Sequence, residues 1–436
     1  MHIALVNSRL DPAGKNIRCH LRELLGNPDG NSVEYGSRRY TFLETEGRLI
    51  HVREIDACTD ADLIIFISRH ASKNPVPTLT VHVTGNIGEA EVGGDPRSLS
   101  TASPEWMHAI LRALKRHEPR GYRTSYEVTH HGPTDVHTPS FFVEIGSTET
   151  EWTDPAAGRA VAAGILEAEP GSVIRFIGFG GNHYAARQTA MALSTRAAWG
   201  HIVHSREVPL LSGEMIRDMQ EKSRAHAAYI DRKSLKKSEL RRLESLLDKA
   251  GLLCLSESEI RELGAIDWPS YRTIRDLAAS VAPGSRIHLH HMAGPGKPVP
   301  LFLDPALLEE AIRLDEERFQ QELGSLVHLS SEDGKILPIF IVYEKNRSEQ
   351  IHDLISSCVK IIIQSENTAV EKDRLILRKM RFDPTLARDL GVPQGPLFGR
   401  LAAGHEITIS GKVISPEKVS VCSERVIQVP GLERYV

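Results

Sequence analysis

The 436-residue chain reads as α/β: a mostly parallel mixed sheet with helices on both faces, followed by a smaller C-terminal α/β domain. Three observations predict this. Leu63-Ile-Ile-Phe-Ile67 is an unbroken apolar run, the pattern of a strand covered on both faces. Strand-like and helix-like segments alternate through the first half of the chain. Ser103-Pro104 and Asp154-Pro155 each set a capping side chain before a proline, a helix-start signal. The length is about three times that of an ordinary domain, so two domains are expected, 1–265 and 266–436.

Taken in order, His2–Val6 reads as a first buried strand, and Arg48–Arg53 alternates weakly as a second. Leu63–Ile67 follows, ending in the polar loop Ser68–Lys73, then a strand from Thr78 and a Gly-rich loop through Gly93-Gly94. A helix from Pro104 to about His117 carries Trp106, Ile110, Leu111 and Leu114 on one side. Tyr122–His130 and Phe141–Ile145 read as strands, Pro155 to about Ala168 as a helix, Val173–Ile177 as a strand and Arg187–Trp199 as a helix. From Gly213 to about Leu263 the pattern is helical and charged; the Lys/Arg run 232–237 is either a solvated helix face or an RNA contact. Beyond it come a strand at Ile287–Met292, a loop from Gly294, a helix opened by Asp304-Pro305 and a strand at Ile336–Tyr343.

Bulk composition narrows the class. Hydrophobic residues at 41% and charged ones at 25% fit a globular protein. A net charge of −4 makes any nucleic-acid surface local. The five cysteines form no C-x-x-C pair, which excludes the common cysteine zinc modules. No apolar run reaches the ~18 residues of a membrane helix, and the N-terminus turns polar too soon for a signal peptide. A cytoplasmic protein without a membrane partner is expected.

The chemistry gathers around Glu127-Val-Thr-His130-His131-Gly132-Pro133-Thr134 and the strand Phe141-Phe-Val-Glu144-Ile-Gly146. Neighbouring strand residues face opposite ways, but a Gly-Pro turn can bring both imidazoles to one rim. Residue chemistry leaves two readings open: a metal or acid–base site, or one buried and one exposed histidine of no special role. Glu144 in an apolar strand needs a cation, a metal or a donor, unless its face is wet. Gly178-Phe-Gly180-Gly181-Asn182-His183-Tyr184 lies between strand and helix, where backbone amides attract anions. It is not the dinucleotide fingerprint, and no GxxxxGK[ST], HExxH or GxSxG occurs. His288-x-His290-His291 lacks the Asp-His that completes a metallo-β-lactamase-type motif, and reads as structural.

Five stretches in order carry a resemblance: Ser68-Arg69-His70, Thr80-Val-His82-Val-Thr-Gly85-Asn86, the HHGPT turn, Pro139–Glu149 with Glu144 at its centre, and Gly178–Ala185. Together they resemble the archaeal-type D-aminoacyl-tRNA deacylase family over roughly residues 1–265. Asn182 and Ala186 depart from the family pattern, which usually has a small residue and Pro there; that puts loop rigidity in question. The resemblance implies hydrolysis of the ester between a D-amino acid and the tRNA 3′ end, zinc as cofactor, a monomer, and a sheet of the phosphorylase/peptidyl-tRNA hydrolase type. It implies His131, Glu144 and His183 as catalytic residues, and His130, His183 and His70 as metal ligands, with His82 as a neighbour. Arg69, Asn86, Gly132, Thr134, Gly180, Gly181 and Asn182 would contact substrate, the two glycine amides receiving an oxyanion or phosphate. The tRNA 2′-hydroxyl could assist instead. A zinc peptidase or amidohydrolase on small substrates and a non-catalytic tRNA-binding protein are the other classes. Near the C-terminus, Arg374–Asp383, Ala387–Leu401 and Gly404–Pro416 are similar to a stretch of tRNase Z without its metal motif, suggesting tRNA-end docking or plain packing.

Overall fold

The computed structural model describes residues 1–72, 75–290, 296–324, 326–365 and 367–436. The chain divides into two compact units, Met1–Trp268 and Pro269–Val436. The first contains β1 (His2–Ser8), β2 (Ser32–Tyr35), β3 (Arg38–Thr45), β4 (Leu63–Ala71) and β5 (Thr78–His82). A two-residue pair, β6 (Gly85–Asn86) and β7 (Ser98–Leu99), precedes β8 (Arg123–Tyr126) and β9 (Ser140–Ser147). Seven of these form one sheet in the order β2-β3-β1-β4-β9-β5-β8. β3, β1, β4 and β9 run parallel, as do β5 and β8, while β2–β3 and β5–β9 are antiparallel. A second, wholly parallel sheet has the order β11-β10-β12-β13, from β10 (Ile174–Phe179), β11 (Ala197–Val203), β12 (Ala227–Ile230) and β13 (Cys254–Leu255). The mostly parallel mixed sheet is therefore present, joined by a second one.

The helices of this unit are α1 (Pro12–Leu24), α2 (Pro104–His117), α3 (Glu149–Trp152), α4 (Pro155–Glu167), α5 (Ala186–Ser194), α6 (Gly213–Lys222), α7 (Lys237–Lys249) and α8 (Glu257–Glu262). The Asp-Pro signal works as chemistry requires: Asp154 accepts from the Ala156 amide, and Asp11 does the same for Gly14 at a start the sequence reading passed over. Arg48–Arg53 is not a strand; Leu49–His51 is a 3₁₀ turn, and the strand lies earlier, in β3. Residues 197–199 belong to β11 rather than to a helix.

α1 packs against β1, β4 and β9, α4 against β9, and α2 against β5 and β8 of the large sheet, with α1 on the face of Asn7 and Ile67, where Gly14 makes its close approach. On the other face Ala4, Val6, Ile64, Phe66 and Phe142 pack under Leu49, Ile55 and Val136, which come from 3₁₀ turns and loop. That face carries Ser68, His70 and Glu144 further along the same strands, by the period-two rule. The cleft lies further along this face, lined by Leu49, Ser68, His70, Phe142 and Glu144.

The segment after β8 stitches the two sheets together. Val128 and Thr129 amides donate to His183 O (2.9 Å) and Ile202 O (2.7 Å), and His130 bridges to Thr84. Buried His201 holds this seam, with Nε2 donating to Ser100 O and Nδ1 paired to Thr129 Oγ1, both at 3.0 Å. Burial pushes its imidazole from the ordinary 6.5 down to about 3. The unfolded ring therefore takes up a proton that the folded one refuses, so stability is complete above pH 6.5 and is lost as pH falls toward 3. The slope is at most about 1.4 kcal/mol per pH unit. Between pH 7 and pH 5, urea unfolding should show His201→Gln losing about 2 kcal/mol less stability than the wild type; identical pH dependence in the two proteins would refute this.

In the second unit α9 (Trp268–Val281), most of which lies in this unit, is followed by β14 (Arg286–His288), β15 (Pro298–Phe302), α10 (Pro305–Glu322), β16 (Val327–Ser330), β17 (Ile336–Tyr343) and α11 (Arg347–Ile363). Then come β18 (Thr368–Glu371), β19 (Arg374–Phe382), α12 (Pro384–Asp389), α13 (Pro396–Ala402), β20 (Ile407–Ile409), β21 (Lys412–Ile414) and β22 (Ser420–Gln428). Its described strand pairings are all antiparallel, so its helices and strands are not joined in the parallel βαβ manner of the first unit. No helix among the described residues is long and apolar enough to cross a membrane.

Candidate active site

Three central strands lay their polar residues side by side on the face opposite α1. Ser68 of β4 is in register with Glu144 of β9, and Glu144 with Thr80 of β5, two residues before His82. His70 comes from the end of β4. The stitching segment adds Glu127, His130 and His131, and the loop after β10 adds His183. His131 has φ +49°, which breaks the strand alternation and turns its ring onto the same rim as that of His130, centroids 4.3 Å apart. The next residue must be glycine: a Cβ at Gly132 would lie 2.4 Å from Gly94 N and 2.5 Å from Ile50 O.

At the centre is a residue assigned no role from sequence. Glu127 is buried, with Oε1 3.1 Å from His70 Nδ1, and Oε2 2.8 Å from His183 Nε2 and 3.5 Å from His130 Nε2. Its only signal in the sequence was an acid three residues before the His pair, inside the same motif. Glu144, also buried, accepts from Ser68 Oγ (2.5 Å) and lies 3.4 Å from His82 Nε2. Burial opposes charge on Glu127, yet His70, His183 and His82 hold its carboxyl well below the usual range. Burial likewise opposes charge on His70, but Glu127 and Glu144 raise it to about 10. Desolvation, with neighbouring imidazoles, keeps His130 well below its ordinary value and brings His131 down to about 4. Both are neutral at pH 7. Each commits Nδ1 to a carbonyl, His130 to Val128 O (2.8 Å) and His131 to Gly132 O (2.7 Å). This tautomer leaves each Nε2 as a lone-pair donor.

Two donor sets of three result: His70, Glu127 and His183, and His82, His130 and His131, with His82, Glu127 and Glu144 linking them. Within each set the donor atoms lie within 4.8 Å of one another. The fit to a cation rests on orphaned atoms: Glu127 Oε1 and Oε2 and His82 Nε2 are buried and make no directed hydrogen bond, although imidazoles stand at ion-pair distance. Buried polar atoms of this kind call for a partner. Imidazole nitrogens with a carboxylate are zinc-type donors.

The cluster forms the floor of a cleft of about 270 Å³. His70, His130, His131, Glu144 and His183 line it together with Arg69, and Leu49, Ile50, Val92 and Phe142 give it an apolar wall. Glu127 and His82 are not among the lining residues; two carboxylates are, Glu144 beside the imidazoles and Asp11, whose oxygens accept from the Gly14 and Arg69 amides.

The remaining sequence candidates have other duties. Asn86 donates from Nδ2 to Gly93 O (2.8 Å) and Asp95 O (3.1 Å), and Thr134 Oγ1 accepts from the Asp95 amide (2.8 Å). They hold the loop that delivers Val92, as does Gly132. The Gly180 and Gly181 amides donate to Val203 O (2.9 Å) and Ser234 Oγ (2.8 Å), which leaves neither to receive an oxyanion or phosphate. Exposed Asn182 lies outside the cleft lining. In the second unit, His290 Nε2 is 2.7 Å from His328 Nδ1, and His288 stacks on His328 at 4.4 Å; His291 and the 294–295 part of the expected loop lie outside the described residues, as does Lys73.

Comparison with known proteins gives consistent matches. A family model described as D-aminoacyl-tRNA deacylase matches residues 57–255. The D-aminoacyl-tRNA deacylases of Methanoregula boonei and Methanoculleus marisnigri are 51% and 50% identical, each over 100% of both chains. That of Methanosarcina mazei is 38% identical and aligns with 61% of this chain but 95% of its own length. A crystal structure of a conserved protein of unknown function has TM-score 0.55 and 33% identity, covering 60% of this chain and 96% of its own.

Proposed function

The chain belongs to the D-aminoacyl-tRNA deacylase family, and from that premise we propose that the Glu127-centred cluster is its metal-dependent hydrolytic site. The protein is a carboxylic ester hydrolase that acts on D-aminoacyl-tRNA, releasing free D-amino acid and tRNA. The observation that carries the site assignment is the meeting of two three-donor sets at the floor of one cleft.

In this reading His70, Glu127 and His183, and His82, His130 and His131, hold zinc. When bound, zinc supplies Lewis acidity and lowers the pKa of water. Glu144, fixed by Ser68, takes the proton of the attacking water; as the new C–O bond forms and the bond to the ribose 3′-oxygen breaks, that proton passes to the leaving oxygen. The wall of Leu49, Ile50, Val92 and Phe142 receives the amino-acid side chain. Arg69, whose guanidinium lies 5.1 Å over the Trp152 ring, meets the terminal phosphate from the rim. The reading includes a monomer acting in the cytoplasm.

The test is hydrolysis of D-tyrosyl-tRNA against L-tyrosyl-tRNA. A cleft that admits one configuration should favour the D substrate by at least about a hundredfold in kcat/KM. Equal rates, or no release from the D substrate, would end this reading.

A further inference from the structure

The second unit contains a feature that the hydrolytic site does not use. β19 and β22 start in its main core, where Leu375, Leu377 and Ile427 pack, and pair through nine residue pairs to Phe382 and Ser420. Between their far ends sits a second small core of Ala387, Val392, Leu401, Ile407, Ile414 and Val419. Along the ribbon joining the two cores, Arg378–Arg381 and Val421–Val426 are exposed. A two-stranded ribbon bare on both faces is marginal by itself.

Its charge is equally distinctive. Residues 374–428 carry nine Lys and Arg against five Asp and Glu, a net +4 in a chain of net −4. Lys379, Arg381 and Arg425 share one ribbon face, because Leu377 pairs with Arg425, Lys379 with Ser423 and Arg381 with Val421. Arg425 reaches Glu309 at 3.7 Å. Among the described residues, Lys379, Arg381, Arg388, Arg400, Lys412 and Lys418 are all exposed and none makes an ion pair, whereas Arg374 and Arg378 are paired to Glu371 and Glu424. Cations held exposed and unpaired in an otherwise acidic chain fit a polyanion. The Methanosarcina mazei relative, which aligns with only 61% of this chain, is named for the same activity.

We infer that the β19–β22 ribbon and the small module at its end are a docking surface for the phosphate backbone of the tRNA substrate. The inference rests on the deacylase reading for its partner. The surface contributes affinity and leaves the chemical step alone.

The test uses the full-length, metal-loaded protein and two charge reversals on exposed residues, Lys379→Glu with Arg381→Glu on the ribbon, and Arg388→Glu with Arg400→Glu on the module. For the ribbon pair KM for D-tyrosyl-tRNA should rise about tenfold at unchanged kcat, and the log–log salt dependence of uncharged-tRNA binding should flatten by about 1 to 2, as for two lost phosphate contacts. The module pair should show the same direction, and each variant should keep the wild-type melting temperature. KM and salt slope within twofold of wild type for both folded pairs would overturn the inference. So would a dimer that either pair dissociates with tRNA binding unchanged, since that marks a contact between copies. Failure of the wild-type protein to hydrolyse D-tyrosyl-tRNA is a different result: it removes the deacylase reading itself, whereas an active wild type with unaffected variants removes only the docking surface.

Discussion

Glu127→Gln should lower kcat for D-aminoacyl-tRNA by at least about a thousandfold while leaving KM nearly unchanged. The substitution keeps size and shape but removes the negative charge that stands within 3.1 Å of His70 and 2.8 Å of His183. It also presents an NH₂ donor where the cluster supplies donors already, so the site would lose an anionic ligand and gain a clash of like groups. Loss of an outer-shell partner at a metal site typically costs ten- to a hundredfold in affinity or activity; loss of a ligand shared by two donor sets should cost more. Glu127 is not among the residues lining the cleft, so substrate contacts should survive and the effect should fall on the chemical step. In the metal-free protein, removing the carboxylate also removes the chief influence raising His70, whose pKa of about 10 there should then drop. The checks are steady-state kinetics and an NMR titration of His70. A kcat within tenfold of wild type would mean that Glu127 is a packing residue.

How much of this could be read from sequence differs by element. Helix starts at Pro155 and Pro305 were legible because a capping Asp and a proline act locally, and that at Pro104 from the proline alone, since Ser103 makes no cap hydrogen bond. α1 was not: only Ala13, Gly14, Ile17 and Leu21 are buried, a narrow stripe amid charged residues. β11 was missed because its Ala-rich start continues the composition of α5 without a break, and only tertiary pairing with β10 separates them. His70, His130, His131 and His183 were legible as candidates because each sits among polar residues after an apolar strand run, and Glu144 because a carboxylate inside an apolar strand needs a partner. Their centre was not, since Glu127 acts through contacts with residues 57 positions before it and 56 after it, and no local pattern records such a meeting. The glycine amides show the reverse error. A Gly-rich loop before a helix suggests anion binding, but here Val203 O and Ser234 Oγ take both donors.

The imidazoles and carboxylates at the floor of the cleft are proposed to hydrolyse the ester by holding zinc. Neutral His130 and His131 with unprotonated Nε2 atoms, and the undirected oxygens of Glu127, form groups that could hold a cation. Removing that ion should take away the acidity that activates water at neutral pH, an effect of several kcal/mol on the barrier. The most direct measurement is single-turnover release of tyrosine from D-tyrosyl-tRNA by protein stripped with a strong chelator, then titrated with Zn²⁺ while bound metal is counted by elemental analysis. The stripped protein should react at least about a thousandfold more slowly and recover in step with zinc bound, with no recovery in Glu127→Gln. Turnover by fully metal-free protein at the wild-type rate would contradict that proposal.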